Sequence, residues 1–343
     1  MVTLSAGGWV VDVTLLLRSS RTTPIIVWRR DDTAVVPSIA ISVQAEPRDA
    51  DSWLALARRL QTGGFDALLV GDHPGSGAAP WPALGAAAAV TTRLRLGTYV
   101  LQAGVRDPVQ AAADAATLDL LAPGRVVLGL GAGHTFAEWE VTARPRPSAA
   151  DRAGRLVEFV DAVARMLDGQ TVTLDGRYLR LAQARLDELP AAGRVRLVIG
   201  GGHPDILRLA AARADVVALS GLGRTLPDGH RHAVRWSTAH LDSMLNIVRV
   251  ESQKRGTTPD LEALVQNVTV TDNRAKALAE LAERLPGATV DDLDRTPFLL
   301  IGTVEQIARQ LTQQSTELGI SRYVVREAAV DAAEQILALL AHR

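Results

Sequence analysis

The 343-residue sequence contains no cysteine and almost no lysine. The absence of cysteine excludes a disulfide framework, thiolate metal ligands and a cysteine nucleophile, and it suits a reducing cytoplasm, where we expect the protein to act. Only Lys254 and Lys276 are lysines among the 37 basic residues. We attribute this bias mainly to a GC-rich genome, but it also leaves very few sites for a Schiff base.

Strong net charge and long apolar runs are also missing. The formal net charge is −1, so no strong field points to nucleic acid or to an anionic membrane as a partner. A membrane-spanning helix needs about 20 apolar residues, and no run approaches that length. Residues 1–36 have short apolar runs broken by Asp12 and several arginines, without the order of regions that a secretory signal requires. We expect them to form a poorly ordered or loosely packed N-terminal extension.

From Pro37 onward, short β-branched or apolar runs alternate with longer helical stretches. This alternation is typical of repeated βα units around a parallel sheet. Eight runs are the number that closes a (β/α)8 TIM barrel, which we predict as an α/β domain over residues 37–343. The predicted strands are 38–43, 67–71, 94–100, 125–131, 195–200, 215–220, 263–270 and 321–327.

Two connections are too long for a minimal barrel and predict insertions after strands 4 and 6. The first contains TVTLDGRYLRLA (171–182), two β-prone runs around Asp175-Gly176, which predicts a hairpin. The second covers residues 221–262 and contains a predicted helix near 238–255. Insertions that follow strands lie on the C-terminal rim, where barrel enzymes have their active sites.

Three of the seven histidines directly follow predicted strands. His73 follows strand 2, His134 follows strand 4 in VVLGLGAGHTFAEWE (126–140), and His203 follows strand 5. Each one alone could be a polar loop residue or a helix cap. In a barrel, however, the three positions converge on one rim, where imidazoles offer proton donors and hydrogen bonds near neutral pH. We therefore predict a site at this rim.

The glycines after strand 5 indicate a phosphate site. Gly200, Gly201 and Gly202 precede a helix predicted to start near Pro204, whose first N–H groups can bind an anion. The alternative is an ordinary tight turn between a strand and a helix. The glycines at 129, 131 and 133 lack the spacing of a dinucleotide-binding fingerprint, so we expect them to thin the wall beside a flat ligand.

Several other chemistries lack their motifs. Both lysines lie in predicted helices far from strand ends, and H-E-x-x-H and G-x-S-x-G are absent. These absences argue against a Schiff-base aldolase, a metal hydrolase and a serine hydrolase, and we expect no metal. A barrel with a phosphate cradle, rim histidines and few charged groups at its strand ends suits a cofactor whose ring does the chemistry.

Four stretches have counterparts in a known family: GFDALLVGDH (64–73), LRLGTYVLQAGVRDPVQAAADAATLDLLAPGRVVLGLGAGH (94–134), LVIGGGHPDILRLAAARAD (197–215) and IGTVEQIARQL (301–311). In these stretches the sequence resembles the luciferase-like monooxygenase superfamily. It resembles in particular the oxidoreductases that use coenzyme F420 (F-420, an 8-hydroxy-5-deazaflavin). The resemblance covers roughly residues 37–330, and the run from Leu94 to His134 is the most specific.

The resemblance implies roles for individual residues after strands 2 and 3. Asp72 and His73 look like the family's Asp-His pair beside the reactive carbon of the cofactor ring, with His73 as a catalytic residue. Thr98, Tyr99 and Val100 look like the bulged end of strand 3. In relatives this segment often has a non-proline cis peptide that backs the ring.

Two further loops match the family pattern. Gly131, Ala132, Gly133 and His134 match the loop after strand 4, where some relatives have an acidic proton donor. This chain has His134 at that point, which we take as the second catalytic candidate. The loop that holds the cofactor phosphate in relatives matches Gly200, Gly201, Gly202 and His203.

These matches imply an oxidoreductase that transfers hydride between F420 and a small organic substrate. From the charge and the short apolar runs we expect no nucleic-acid or membrane partner, and we consider a homodimer as one assembly state. Two alternatives stay open. One is an FMN-dependent monooxygenase of the same fold that is fed by a separate reductase. The other is a non-catalytic flavin-binding protein, although the intact pair of Asp72 and His73 favours an enzyme.

Overall fold

The computed structural model describes residues 38–226, 232–285 and 287–341, together with three strands nearer the N-terminus. Clustering of the chain gives two compact units, Met1–Ser38 and Ile39–Arg343. The first unit is an antiparallel sheet whose central strand pairs with both others; its strands are Val2–Ala6, Trp9–Arg18 and Arg21–Arg30. The sequence pattern did not predict these strands, and the loose packing expected of residues 1–36 stays a prediction.

The second unit is a closed barrel of eight parallel strands. Each strand pairs with the next one along the chain, and the eighth pairs with the first. The predicted (β/α)8 barrel is therefore confirmed. Barrel strands 1 to 8 are Ala40–Gln44, Ala67–Val70, Arg95–Gln102, Val126–Gly131, Arg196–Gly200, Val216–Leu219, Asp260–Leu264 and Ile320–Arg326.

Helices alternate with the barrel strands, and several begin or end at residues that stabilise helix termini. Asp107 caps the helix after strand 3 by accepting hydrogen bonds from two N–H groups of its first turn, and Pro108 occupies the first helical position. Gly256 and Gly319 end two later helices in the left-handed conformation. In the described residues, no helix is long and apolar enough to cross a membrane. The principal helices after strands 1 to 8 are Ala50–Thr62, Pro80–Ala88, Pro108–Leu121, Ala149–Leu167, Pro204–Arg213, Thr238–Arg255, Val304–Leu318 and Val330–Ala341.

Extra elements follow barrel strands 4 and 6, in the two long connections noted in the sequence. After strand 4 come the short helix Phe136–Val141 and, beyond the long helix, the antiparallel pair Val172–Asp175 and Arg180–Ala184. This pair is the hairpin that the sequence predicted. After strand 6, Leu222–Thr225 pairs with His232–Val234 in a second antiparallel pair, which we call the strand-6 hairpin.

The prediction of one strand over residues 263–270 is wrong. Barrel strand 7 is Asp260–Leu264. Asn267–Val270 is a separate strand, which pairs in parallel with Leu299–Gly302 in a sheet of its own. The apolar pattern runs through both strands without a break, so it gave no sign of their separation.

Backbone hydrogen bonding explains where barrel strand 7 ends. The N–H of Val265 still donates to Val324 O of barrel strand 8, whereas the N–H of Gln266 donates to Phe298 O. The chain thus leaves the barrel ladder between these two residues. The connection after strand 7 consequently contains a third insertion, which the sequence analysis missed and which includes the helices Arg274–Arg284 and Val290–Arg295.

The barrel interior is packed with side chains. An apolar cluster fills its middle and consists of Ala67, Leu69, Tyr99, Val127, Val198, Val216, Ala218, Leu264 and Val324. Nearer the N-terminal ends of the strands, the buried Glu262 carboxylate lies 3.6 Å from Arg322 Nε, and Arg322 also pairs with Asp66. Burial raises the pKa of Glu262 to about 7. A ligand site is therefore expected at the C-terminal rim and not within the barrel.

We expect residues 1–36 to be dispensable for the stability of the barrel, because its first strand begins at Ala40 and the preceding residues cluster as a separate unit. A chain that starts at Pro37 should melt within about 2 °C of the full-length protein. Scanning calorimetry of the two proteins measures the difference. A decrease of many degrees would show that the N-terminal unit stabilises the barrel.

Candidate active site

A cavity of about 1150 Å³ lies at the C-terminal ends of the barrel strands. It is lined by residues that follow strands 2, 4 and 5 and by parts of the insertions after strands 4 and 6. Of the residues predicted for the site, only Thr98 does not line it. The lining contains Asp72, His73, Tyr99, Val100, Gly131, Ala132, Gly133, His134, Gly200, Gly201, Gly202 and His203.

His73 follows barrel strand 2 and makes a hydrogen bond with a buried carboxylate. Its Nδ1 lies 2.6 Å from Oε1 of Glu138, and the Glu138 side chain is only 2% exposed whereas that of His73 is 38% exposed. Gln102 Nε2 donates to the other carboxylate oxygen of Glu138. The hydrogen bond with Glu138 raises the pKa of His73 above its ordinary value. Within the described ranges, Nε2 of His73 has no protein partner and is available to a ligand.

Asp72 is buried beside His73 and is held by residues at the end of barrel strand 3. Its carboxylate accepts hydrogen bonds from Arg106 Nη2 at 2.5 Å, from Arg106 Nε at 3.0 Å and from the N–H of Gln102 at 3.0 Å. Both oxygens are thus engaged by the protein itself. Asp72 anchors the end of strand 2, and its predicted contact with a cofactor stays a prediction.

The end of barrel strand 3 is irregular, as the resemblance implied. The pairing with strand 4 shifts register between Thr98 and Leu101, and the peptide bond between Tyr99 and Val100 is cis. Both expectations are confirmed. The Tyr99 carbonyl accepts a hydrogen bond from Gln44 Nε2 at 3.0 Å. Thr98 lies behind the cavity lining, where its hydroxyl donates to the carbonyl of residue 129 and holds strands 3 and 4 together.

His134 is half-buried and pairs with His232 of the strand-6 hairpin. His232 Nε2 lies 2.8 Å from His134 Nδ1, which is also 3.0 Å from the Thr135 hydroxyl. Burial, together with nearby histidines and arginines, lowers the pKa of His134 to about 3. His134 is therefore neutral at pH 7. Nδ1 contacts the Thr135 hydroxyl and His232 Nε2, each of which can donate to it, so we take the tautomer with the proton on Nε2.

The loop after barrel strand 5 leaves two backbone donors open. Across the described part of the chain, the N–H groups of Gly202 and His203 have no protein acceptor. The helix Pro204–Arg213 begins directly after them, and the His203 side chain caps it by accepting from the N–H of Asp205 at 3.3 Å. Open N–H groups at the N-terminus of a helix are an anion-binding arrangement. This geometry is compatible with the predicted phosphate binding, which stays a prediction.

The glycines of this loop differ in the space around them. A Cβ on Gly201 would lie 2.8 Å from Cγ2 of Ile206, so packing alone requires glycine at 201. The nearest atom to a Cβ on Gly202 would be 3.7 Å away, which is an ordinary van der Waals distance. Gly202 therefore has room for a Cβ, and a substitution there should test ligand binding with less disturbance of the fold than one at Gly201.

Sequence reasoning missed the partners of the predicted residues. Glu138 lies four residues after His134 in the stretch HTFAEWE, but it pairs with His73, so this spacing did not indicate its partner. Arg106 could not be distinguished among so many arginines. His232 belongs to an insertion without a recognisable motif, so only the fold shows that it reaches His134.

The rim cavity of this (β/α)8 barrel combines an anion-binding glycine loop with a histidine–carboxylate pair. Barrels with such a cavity form a class suited to a phosphorylated cofactor. The model of the luciferase-like monooxygenase family matches residues 34–322 of this chain. The match covers most of the sequence, including every part of the cavity that follows strands 2 to 5. The chain belongs to the luciferase-like monooxygenase family.

Curated relatives with similar sequences include two proteins named F420-dependent glucose-6-phosphate dehydrogenase. The one from Beutenbergia cavernae is 36% identical over 196 residues, which cover 54% of this chain and 57% of the relative. The one from Nakamurella multipartita is 31% identical over 236 residues, which cover 66% of this chain and 65% of the relative. In both cases the match spans less than two thirds of the relative's length.

Solved structures share the fold at lower sequence identity. An F420-dependent secondary alcohol dehydrogenase in complex with an F420-acetone adduct superposes with a TM-score of 0.68 at 20% identity, covering 88% of this chain and 99% of that one. A coenzyme F420 dependent tetrahydromethanopterin reductase from Methanopyrus kandleri gives 0.69 at 15% identity, covering 88% and 97%. At these identities the likeness establishes the fold alone.

We expect Asp72→Ala to lower the free energy of unfolding by about 2–4 kcal/mol, because it leaves the Arg106 guanidinium and a buried N–H without their acceptor. The control is Asp205→Ala, which breaks an exposed ion pair with Arg208 and should cost less than about 1 kcal/mol. Urea unfolding of the two variants and the unmodified protein gives both values. Equally small losses would contradict the anchoring role of Asp72.

Proposed function

We propose that this protein is an oxidoreductase that transfers hydride between coenzyme F420 and a small organic substrate. The proposal rests on the residues that line a single cavity. It brings the pair of His73 and Glu138 to the same rim as the open N–H groups of Gly202 and His203. The names of the two relatives, both F420-dependent dehydrogenases, support the same activity.

The residues present fit a flat, phosphorylated ring system. The N–H groups of Gly202 and His203 would hold its phosphate. Val100 and Gly131 line the cavity and would offer an apolar, thin wall to the ring. When bound, the coenzyme supplies or accepts the hydride, which no side chain of this cavity can do.

His73 would handle the proton that accompanies hydride transfer. The Glu138 carboxylate accepts a hydrogen bond from Nδ1–H, which fixes the tautomer whose Nε2 has a free lone pair. Nε2 would take the proton of a substrate hydroxyl as the carbonyl forms, and would return it in the reverse direction. The buried carboxylate of Glu138 stabilises the imidazolium that results. His134, which is neutral, would donate a hydrogen bond from Nε2 to the bound ligand.

The two alternatives left open by the sequence predict different ligand preferences and different turnover. An FMN-dependent monooxygenase would bind FMN in preference to F420 and would require a separate reductase. A non-catalytic flavin-binding protein would bind the cofactor without turnover on any substrate. The expected cytoplasmic location and the homodimer stay predictions.

Binding experiments with the full-length protein test the proposal. The fluorescence of F420 should decrease when the protein binds it, and this decrease gives the dissociation constant. F420 should bind more tightly than FMN. Gly202→Val should weaken F420 binding by about 10- to 1,000-fold, because it obstructs the open N–H groups that hold phosphate. A ring fragment with the ribityl chain but no phosphate should lose less than about threefold in affinity.

Three outcomes would contradict this scheme. Equal losses for F420 and the phosphate-free fragment would show that the loop shapes the cavity and does not hold phosphate. Tighter binding of FMN would favour the monooxygenase. F420 binding without turnover on a panel of alcohols and sugar phosphates would favour the binding protein. The melting temperature of Gly202→Val checks that the fold is intact, since a Cβ fits at this position but the γ-carbons of valine extend beyond it.

The pH dependence of hydroxyl oxidation should follow His73. Turnover should decrease as the pH falls through the His73 pKa, because only the neutral imidazole accepts a proton. Glu138→Gln replaces the charged acceptor at Nδ1 with a neutral one, so the His73 pKa should fall and the acidic limb of kcat/KM should move to lower pH. His134→Ala should leave the limb in place, because His134 is neutral throughout this range.

Initial rates across the pH range measure these shifts, and the NMR titration of the His73 ring gives its pKa without a turnover assay. In Glu138→Gln, the contradictory result is an NMR titration of the His73 ring that shifts to lower pH while the acidic limb of kcat/KM stays in place. That result would assign the proton transfer to another group. A limb that moves in His134→Ala would restore His134 as the proton donor expected from the sequence.

A further inference from the structure

Two arginines line the cavity where the long helix Ala149–Leu167 begins. Arg146 precedes the helix and Arg152 lies at the end of its first turn. Ser148, which caps the helix, lines the cavity as well. No sequence motif marks these residues, and they have no part in the proton transfer proposed above.

Neither guanidinium forms an ion pair with a carboxylate in the residues that the structure describes. Arg152 Nη1 donates to the carbonyl of Pro147 at 2.6 Å, and the Arg146 guanidinium lies 4.0 Å from the centre of the Phe136 ring. The Nε atoms of both arginines are buried without a hydrogen-bond acceptor. By contrast, Arg106 at the same rim is fully paired with a carboxylate.

The two arginines also repel each other. Burial lowers the pKa of both groups, and the charge of Arg146 contributes to lowering that of Arg152 to about 10. Both charges also contribute to the low pKa of His134. Like charges in a half-buried place are unfavourable unless an anion neutralises them. Two neighbouring guanidinium groups with open Nη donors are suited to the paired oxygens of phosphate or carboxylate.

We propose that Arg146 and Arg152 form an anion subsite for the phosphate or carboxylate group of the substrate. The inference rests on the proposed function, because it assumes that the reacting end of the substrate lies at His73. The N-terminus of the 19-residue helix Ala149–Leu167 adds N–H donors and a favourable dipole to the same subsite. The substrate would then span the cavity between His73 and the two arginines.

The position of the arginines assigns this anion to the substrate and not to the coenzyme. The glycine loop after strand 5 already offers open donors for the coenzyme phosphate. The arginines instead belong to the connection after strand 4, which also contains Glu138, the hydrogen-bond partner of His73. The anion subsite therefore lines the same cavity as His73, where the substrate would react.

Inorganic phosphate tests the subsite on the full-length protein saturated with F420, so that the glycine loop is already filled. Calorimetric titration at constant ionic strength should detect phosphate binding to this complex. Arg152→Gln and Arg146→Gln should each weaken it by about tenfold or more, the effect of losing one charge-assisted hydrogen bond. Arg165→Gln is the matched control, because it removes one positive charge from the other end of the same helix, where Arg165 lies near Asp161.

The expected result is a loss in both cavity variants, none in Arg165→Gln, and an F420 affinity that stays within about twofold in all three. Phosphate binding that is absent, or equally strong in all variants, would overturn the subsite. A tenfold loss of F420 affinity in Arg152→Gln would assign the pair to the coenzyme and overturn the substrate role. If F420 does not bind at all, the proposed function fails first, and phosphate titration of the protein alone still tests the arginines.

Discussion

The buried carboxylate of Asp72 holds the active-site end of this barrel together. It joins the end of strand 2 to Arg106 and to the backbone of Gln102 at the end of strand 3. The side chain of Gln102 in turn binds Glu138, and Glu138 binds His73, which directly follows Asp72 in the chain. The network therefore closes on itself. Each member fixes the orientation of the next, so the imidazole is oriented before any ligand arrives.

The sequence was sufficient for the features that depend on local pattern. Seven barrel strands, the hairpin after strand 4 and the helix at Pro204 lie where apolar runs and turn residues predicted them. The seventh strand was mispredicted because its apolar pattern continues past Leu264, while its hydrogen bonds change partner. A change of partner is a tertiary event that periodicity does not register.

The same distinction applies to the site. Residues at strand ends, such as His73 and Gly202, could be predicted because every strand of a barrel ends at one rim. Glu138, His232 and Arg106 could not, since the first two reach the cavity from insertions and Arg106 is recognised only by its contact with Asp72. Thr98 shows the converse error: it belongs to the matching motif, yet its side chain faces the neighbouring strand.

Charge is distributed unevenly around the cavity. The carboxylates of Asp72 and Glu138 are compensated by protein partners on the side of strands 2 and 3. The positive charges of Arg146 and Arg152, in the connection after strand 4, have no such compensation in the described residues. An anion entering the cavity is therefore drawn toward one side, which orients it relative to His73.

Glu138 lies on the helix Phe136–Val141, which has only six residues. A helix of that length does not persist in water on its own, so it exists here because Trp139 is buried and because Glu138 meets His73 and Gln102. Local folding of this segment and completion of the proton-handling pair are consequently one cooperative event. Were the segment to open, the barrel would remain folded but its histidine would lose both its orientation and its basicity.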